Sequence, residues 1–194
     1  MELVSLRTGQ LVNQTEIARD AGVSQPTVHR YLNLLEASFL LHRIPAYAKS
    51  RTKRLVKSPK VYWADPALPV FLMGHYEIEG LREAREAGAV FENLLLIHLQ
   101  ALSDLLLPAA RLYYWRTASG VEVDFVLEWG RKLVAFETKL TRNPRYRDTR
   151  GLVAFLAEYP GCSIGVLIHC GEEVLRLGEN IVAVPWQLFA TSPS

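Results

Sequence analysis

The stretch that most constrains the fold of this chain is VFENLLLIHLQALSDLLLP, residues 90–108. It is almost wholly apolar and is ended by Pro108, so as a helix it must be buried on most of its circumference. His98, Gln100 and Asp104 interrupt it, and a spanning helix needs about 20 mostly apolar residues. The run therefore reads as a core helix, and no membrane partner is expected. Glu92 stands near its first turn, where an acid complements the helix dipole.

Three segments rich in β-branched and aromatic residues follow: LYYWRT (112–117), VEVDFVLE (121–128) and KLVAFETKL (132–140). Ser119–Gly120 and Trp129–Gly130 separate them, which predicts three consecutive antiparallel strands. Thr149–Tyr159 has helical amphipathicity and ends near Pro160–Gly161, and Cys162–Ile168 has the composition of a strand buried on both faces. The order is helix, three strands, helix, strand, a core of the α+β or α/β class.

Side chains alternate along a strand, so Glu137 and Lys139 share one face, and Glu122 and Asp124 share a face opposite Val123 and Phe125. Pairing across Trp129–Gly130 brings Asp124 toward Glu137. Charges near a core are costly unless paired or holding a cation. Two readings stay open on spacing alone. One is a Mg²⁺ (or Mn²⁺) site in which the ion polarises a phosphoryl oxygen and Lys139 orients a water, giving phosphodiester hydrolysis. The other is an edge salt bridge between Glu137 and Lys139, with Asp124 exposed at a strand end.

The amino-terminal part has a different pattern. Ile17, Ala18 and Ala21 fall on one helical face, Gly22 supplies a left-handed helix end and Val23 points back to the core. Ser24 is a good N-cap, Pro26 lies in the first turn, and Val28, Tyr31, Leu32 and Leu35 repeat at helical spacing. Two helices with a short turn form a helix-turn-helix, whose second helix enters the major groove. Its outward side chains are Gln25, Thr27, His29, Arg30 and Asn33, which can reach phosphates or base edges. Phe39–Ile44 and Val61–Trp63 read as strands flanking a basic segment, as in a winged helix. The same arrangement also serves as a protein-docking surface.

The net charge of +2 conceals an asymmetry: residues 1–75 hold ten Lys/Arg against five Asp/Glu, and residues 76–194 hold twelve against fifteen. Arg43, Lys49, Arg51, Lys53, Arg54, Lys57 and Lys60 occur with no acid between Glu36 and Asp65. Such a run suits a polyanion, DNA first, or serves as a solvated loop. Cys162 and Cys170 flank one strand and should be reduced. No CxxC, HxH or HExxH occurs, and neither does the GxxxxGK[ST] phosphate loop, so no zinc site of usual spacing or P-loop is expected. Met1–Gln10 carries Glu2 and Arg7 and lacks the order of a secretory signal, so a cytoplasmic location is expected.

Asp124, Glu137-x-Lys139 and the helix-borne Glu92 together resemble the PD-(D/E)XK nuclease superfamily, with its αβββαβ restriction-endonuclease-like core. SQPTVHRYLNLLEASFLLHRIPAY, KRLVKSPKVYWADPAL, AVFENLLLIHL and FETKLT extend the likeness. The chain is similar to the carboxyl-terminal half of a bacterial and archaeal AAA+ ATPase family, in which a winged helix precedes a domain of unknown function (number 4143) with that core. Gly74–Gly88 is polar, charged and bounded by glycines, which predicts a linker or exposed helix at 76–88; the resemblance implies a winged-helix domain at 1–75 before it and a nuclease-like domain at 89–194 after it. It implies Asp124 and Glu137 as metal ligands, Lys139 as the catalytic lysine and Glu92 as an assisting acid. It also implies nucleic acid, an AAA+ module or a second copy of the chain as partners. Val123 replaces the proline that often precedes the first acid, and no ATPase module is present in these residues.

Overall fold

The computed structural model describes residues 1–50 and 57–190. Helix α1 (Glu2–Ser5) leads into α2 (Gln14–Ala21), whose first turn is capped by Asn13 Oδ1 accepting from Glu16 N at 3.2 Å. Gly22, at φ 65°, ends α2 in the left-handed conformation that a side chain would disfavour. Helix α3 (Gln25–Ala37) starts with Ser24 Oγ accepting from Thr27 N at 3.3 Å and Pro26 in its first turn. Strands β1 (Leu41–Ile44) and β2 (Lys60–Trp63) then pair antiparallel, Leu41 opposite Trp63 and Ile44 opposite Lys60.

Val12, Ile17, Val28, Leu32, Leu41, Val61 and Trp63 form a core between these elements. Two residues expected inside face solvent: Val23 is 42 % and Tyr31 63 % exposed. Helix α3 turns its Val28, Leu32 and Leu35 line to the core, and Tyr31 falls past the edge of it. β1 begins two residues later than expected because Phe39, at φ 57° and exposed, belongs to the turn that leaves α3.

Helices α4 (Ala67–Leu72) and α5 (Ile78–Glu83) lead to α6 (Ala87–Leu105). α5 buries no residue. Then come β3 (Arg111–Arg116), β4 (Glu122–Trp129) and β5 (Lys132–Lys139), a 3₁₀ turn at Tyr146–Thr149, α7 (Arg150–Glu158) and β6 (Cys162–His169). Strands β7 (Leu175–Gly178) and β8 (Ile181–Pro185) and the short α8 (Gln187–Ala190) finish the chain.

The sheet order is β3-β4-β5-β6-β8-β7. The first three strands form an antiparallel meander, α7 crosses over to the parallel β5–β6 pair, β8 adds parallel to β6, and β7 closes the edge antiparallel. The fold is thus α+β with a mixed sheet. One face packs on α6 through Phe91, Leu95, Leu99, Phe125, Phe136 and Ile168, and the other on α7 through Trp115, Val123, Val126, Leu152 and Phe155.

Strict alternation fails in β4. Tyr113 lies opposite Val126 and Trp115 opposite Val123, so β4 carries one extra residue there. This bulge reverses the phase: Val123 belongs to the α7-side core and Phe125 to the α6-side core, not to one shared face. Asp124 stands at the point of reversal.

The amino-terminal elements are built into the α6 layer. Ile44 and Tyr62 belong to its apolar cluster. Asn93, fully buried, accepts from Trp63 N at 2.7 Å and donates to Trp63 O at 2.8 Å. Tyr47 N donates to Tyr114 O at 2.6 Å, and Tyr114 N to Pro45 O at 3.0 Å. Among the described residues no helix is long and apolar enough to cross a membrane.

Candidate functional site

The bulge in β4 turns the Asp124 carboxylate toward β5, where Oδ2 accepts from Thr138 N at 2.8 Å and from Thr138 Oγ1 at 2.9 Å. Asp124 is 6 % exposed, so the open reading that placed it at an exposed strand end does not hold. Glu137, also 6 % exposed, comes from the neighbouring position of β5, and its Oε1 accepts from Lys139 Nζ at 2.8 Å. Its other oxygen, Oε2, is buried without a hydrogen-bond partner among the described residues. Burial, and then the negative charge of Asp124, push the Glu137 carboxyl up to about 8. The Lys139 ammonium is held above its usual value because Glu137 and Asp124 outweigh its partial burial.

Glu92 projects from the second turn of α6. Its Oε1 accepts from Lys60 Nζ at 3.1 Å and from the Tyr62 hydroxyl. Burial and the nearby Asp124 push its carboxyl up to about 7, with Lys60 and Tyr62 pulling the other way. A dipole partner at a helix start would be solvated; Glu92 is part of a buried network.

The centre of that network is Lys60, 1 % exposed. Besides Glu92, its Nζ lies 3.5 Å from Glu122 Oε1 and 3.8 Å from Asp124 Oδ1. Burial works against the ammonium, but these acids together more than compensate and hold it above its ordinary value. Three carboxylates face this ammonium, with Glu122 Oε2 also 3.2 Å from Arg116 Nη1, so Lys60 keeps its proton, while burial and Asp124 disfavour Glu92 as an anion. Lys60 was grouped with the basic run in the sequence, but β2 carries it inward. The available signal was its position two residues before Tyr62 in KVYW, which puts both on one face of an otherwise apolar strand.

Two glycines leave room for the network. Gly9, at φ 73°, lies against Glu92, and a Cβ there would come 3.2 Å from Oε2. In the first turn of α7, a Cβ on Gly151 would sit 1.9 Å from Glu122 O and 3.0 Å from Glu137 Oε2. Outside them a cleft of about 310 Å³ is lined by Glu122, Glu137, Lys139, Arg147, Arg150 and Gly151.

The donor set, carboxylate oxygens with one oxygen unpartnered, is of the kind a hard divalent cation takes. As arranged, however, Glu92, Glu122 and Asp124 have a protein cation among them. Among the described residues, no group of three or more His, Cys, Asp or Glu side chains is disposed to hold a metal ion.

The nucleic-acid candidates lie elsewhere. Gln25, His29, Arg30 and Asn33 are exposed on α3, and Thr27 is half-buried with its hydroxyl 2.8 Å from Ser24 Oγ. Asn33 Oδ1 accepts from Arg43 Nη2 at 2.6 Å, and Asn33 Nδ2 is 3.1 Å from His29 Nε2. Lys49 sits with Nζ 5.5 Å from the centre of the Tyr159 ring, and Lys57 Nζ donates to Arg116 O at 3.2 Å, so both rest on the carboxyl-terminal elements. Arg51, Lys53 and Arg54 lie outside the described residues.

Fold and site together define an α+β protein with a buried lysine–carboxylate network between its amino-terminal elements and a mixed sheet. Residues 87–189, just over half the chain, match the model of the family described as Domain of unknown function (DUF4143), and the chain belongs to that family. Residues 1–77 match a second family, Domain of unknown function (DUF8612). The chain is 31 % identical over 186 residues to the uncharacterized proteins Rv2008c of Mycobacterium tuberculosis and Mb2031c of Mycobacterium bovis. The match covers 96 % of this chain and 41 % of each relative, so the chain spans about two-fifths of their length. No solved structure matches it.

Proposed function

We propose that this chain is a catalytically inactive, nucleic-acid-binding module of a larger ATPase-type protein. In this reading the carboxylates of its nuclease-like core serve as an ion-pair lock instead of a metal-dependent centre. The observation that carries the reading is Lys60: a side chain 2 % exposed supplies the positive charge for Glu92, Glu122 and Asp124 from within the protein. With Arg116 Nη1 also 3.2 Å from Glu122 Oε2, these acids are paired by cations of the protein itself.

The nucleic-acid half of the reading is supported by the polar, exposed face of α3, which follows a capped turn and precedes a two-stranded hairpin in the order of a winged helix. The excess of ten basic over five acidic residues in 1–75 adds the electrostatic attraction that phosphate backbones require. The greater length of the relatives, together with the resemblance to AAA+ proteins, supports an ATPase-type module as its partner.

A second reading has its own observation. Among the described residues the buried Glu137 Oε2 has no partner, and Lys139 lies beside Glu137, as a Mg²⁺- or Mn²⁺-dependent phosphodiesterase of the PD-(D/E)XK type requires. Asp124 and Glu137 would hold the ion, which when bound would polarise a phosphoryl oxygen. Lys139 would bind and orient the water, and Glu92 would accept its proton.

One experiment separates the two. Fluorescence anisotropy with duplex and single-stranded DNA is expected to report salt-sensitive binding that Arg30→Glu weakens, while Mg²⁺ or Mn²⁺ leaves every substrate intact. Metal-dependent cleavage that disappears in Asp124→Ala would replace the first reading with the second. No DNA binding at low salt would remove the nucleic-acid claim and leave a protein-docking module.

A further inference from the structure

The chain that leaves β1 and the chain that enters β2 are both pinned to β3. Tyr47 N donates to Tyr114 O at 2.6 Å, and the Tyr114 hydroxyl donates to Ser58 O at 2.6 Å. Lys49 and Lys57 stand next to these pins, so the backbone fixes where their side chains start. With Arg116, at the end of β3, they line a cleft of about 500 Å³ that also takes in Glu158 and Tyr159 at the end of α7. None of the described residues of α3 lines it.

Three of the lining side chains are cations and one, Glu158, is an acid, whereas the cleft beside Glu137 sets Lys139, Arg147 and Arg150 against Glu122, Glu137 and Asp148. Glu158 lies against the Tyr159 hydroxyl, which burial, and then this acid, hold above its usual value. Lys49 Nζ rests 5.5 Å from the centre of the Tyr159 ring and Lys57 Nζ donates to Arg116 O, and among the described residues neither ammonium has a carboxylate partner. Arg116 Nη1 pairs with Glu122 at 3.2 Å, but the side chain stays 43 % exposed and most of its N–H donors are left for a ligand. A positively charged concavity of this volume is in the size class that encloses a small organic group. A duplex carries its phosphates on the outside of a stiff cylinder and meets only the rim of such a cleft, but a single strand can bend a nucleotide into it.

We propose that this cleft is a second nucleic-acid surface, separate from α3, and that it takes the backbone of a single strand, with phosphates on Lys49, Lys57 and Arg116. This rests on the nucleic-acid reading above and adds to it the class of strand and the place where it lies. Lys49 and Lys57 then act at the junction with α7, not as the wing beside a duplex.

The test is fluorescence anisotropy with a labelled oligo(dT) of about ten nucleotides and a duplex of equal length. At a slope of about −0.7 per neutralised phosphate, three contacts account for a roughly 20-fold fall in oligo(dT) affinity between about 50 and 200 mM salt. The triple variant Lys49→Gln, Lys57→Gln, Arg116→Gln is expected to shallow the slope by about 2 and to weaken oligo(dT) at least roughly tenfold at about 50 mM salt, with duplex affinity changed by no more than about twofold. A control triple, Arg82→Gln, Arg111→Gln, Arg131→Gln, removes the same charge from exposed positions outside the cleft and is expected to change oligo(dT) affinity by less than about twofold. Should Arg116→Gln lower the melting temperature by releasing Glu122, the Lys49→Gln, Lys57→Gln pair carries the same comparison, with a slope shallower by about 1.4. Equal losses in the site and control variants, no loss in the site variant, or an equal loss for the duplex overturns the proposal and leaves the nucleic-acid reading standing. So does displacement of the strand by free thymidine monophosphate at an equal concentration of nucleotide, which would make the cleft a small-molecule site. Absence of binding to either nucleic acid at low salt refutes the nucleic-acid reading itself, and this surface with it.

Discussion

Replacing Lys60 with methionine keeps most of the side-chain volume and deletes its charge. The ammonium lies 3.1 to 3.8 Å from Glu92, Glu122 and Asp124, and at an effective dielectric of about 20 each attraction is about 4–5 kcal/mol. Most of this cancels against desolvation, which costs several kcal/mol per buried ion. What survives is an asymmetry: Glu92 and Asp124 stay buried with their cation gone, and breaking such a pair costs about 3–5 kcal/mol. Glu122 contributes less, because its side chain is 33 % exposed and water can screen it. For a chain of this size each kcal/mol is about 2–4 °C, so the melting temperature is expected to fall by about 6–20 °C. Circular dichroism melts in low salt and in about 0.5 M NaCl check both size and origin: surface pairs fade with salt, but a buried one persists. Adding Glu92→Gln should return part of the loss. A Lys60→Met chain that melts within about 2 °C of the unmodified one would refute the reasoning.

Other outcomes follow from the same geometry. Glu92 and Glu137 have folded-state values near 7 and 8, above the usual carboxylate range, so the stability linked to their protons is complete below about pH 4.5 and lost as pH rises through 7 to 8. Urea midpoints at pH 5, 7 and 9 should show a decline on the order of 3 kcal/mol that Glu137→Gln flattens. Asn93→Ala strands the buried backbone N–H and C=O of Trp63 and is expected to cost about 2–4 kcal/mol in urea unfolding. Gly151→Ala should cost about 2–3 kcal/mol or prevent folding, because its Cβ would lie 1.9 Å from Glu122 O, while Gly161→Ala, with nothing within 4 Å, should be neutral in the same assay.

Much of this was legible from residue patterns. Trp129–Gly130 as a turn, the three strands after Pro108, the Ser24 cap and the Gly22 stop all depend on local rules, namely backbone conformation, capping and periodicity, and they hold in the structure. The proximity of Asp124 to Glu137 also followed from a hairpin whose register starts at its turn. The face assignments around Val123 and Phe125 were not legible. The extra residue in β4 is set by pairing with β3 and has no signature in EVDFVLE itself.

The sequence by itself determined the two capped helices after Asn13, the helix before Pro108, the three strands and the helix and strand that follow them, and which carboxylates share the β4–β5 hairpin, because those depend on neighbours a few residues away; it did not place α4, β7 or β8. Only the tertiary structure decided what neutralises them. Lys60 looks like one of seven basic residues between Glu36 and Asp65, and its burial depends on β2 docking against α6 through Tyr62, Trp63 and Asn93. A charge acquires its partners from packing between distant segments, and the energy that permits a buried ammonium exists only after Glu92, Glu122 and Asp124 have been brought around it.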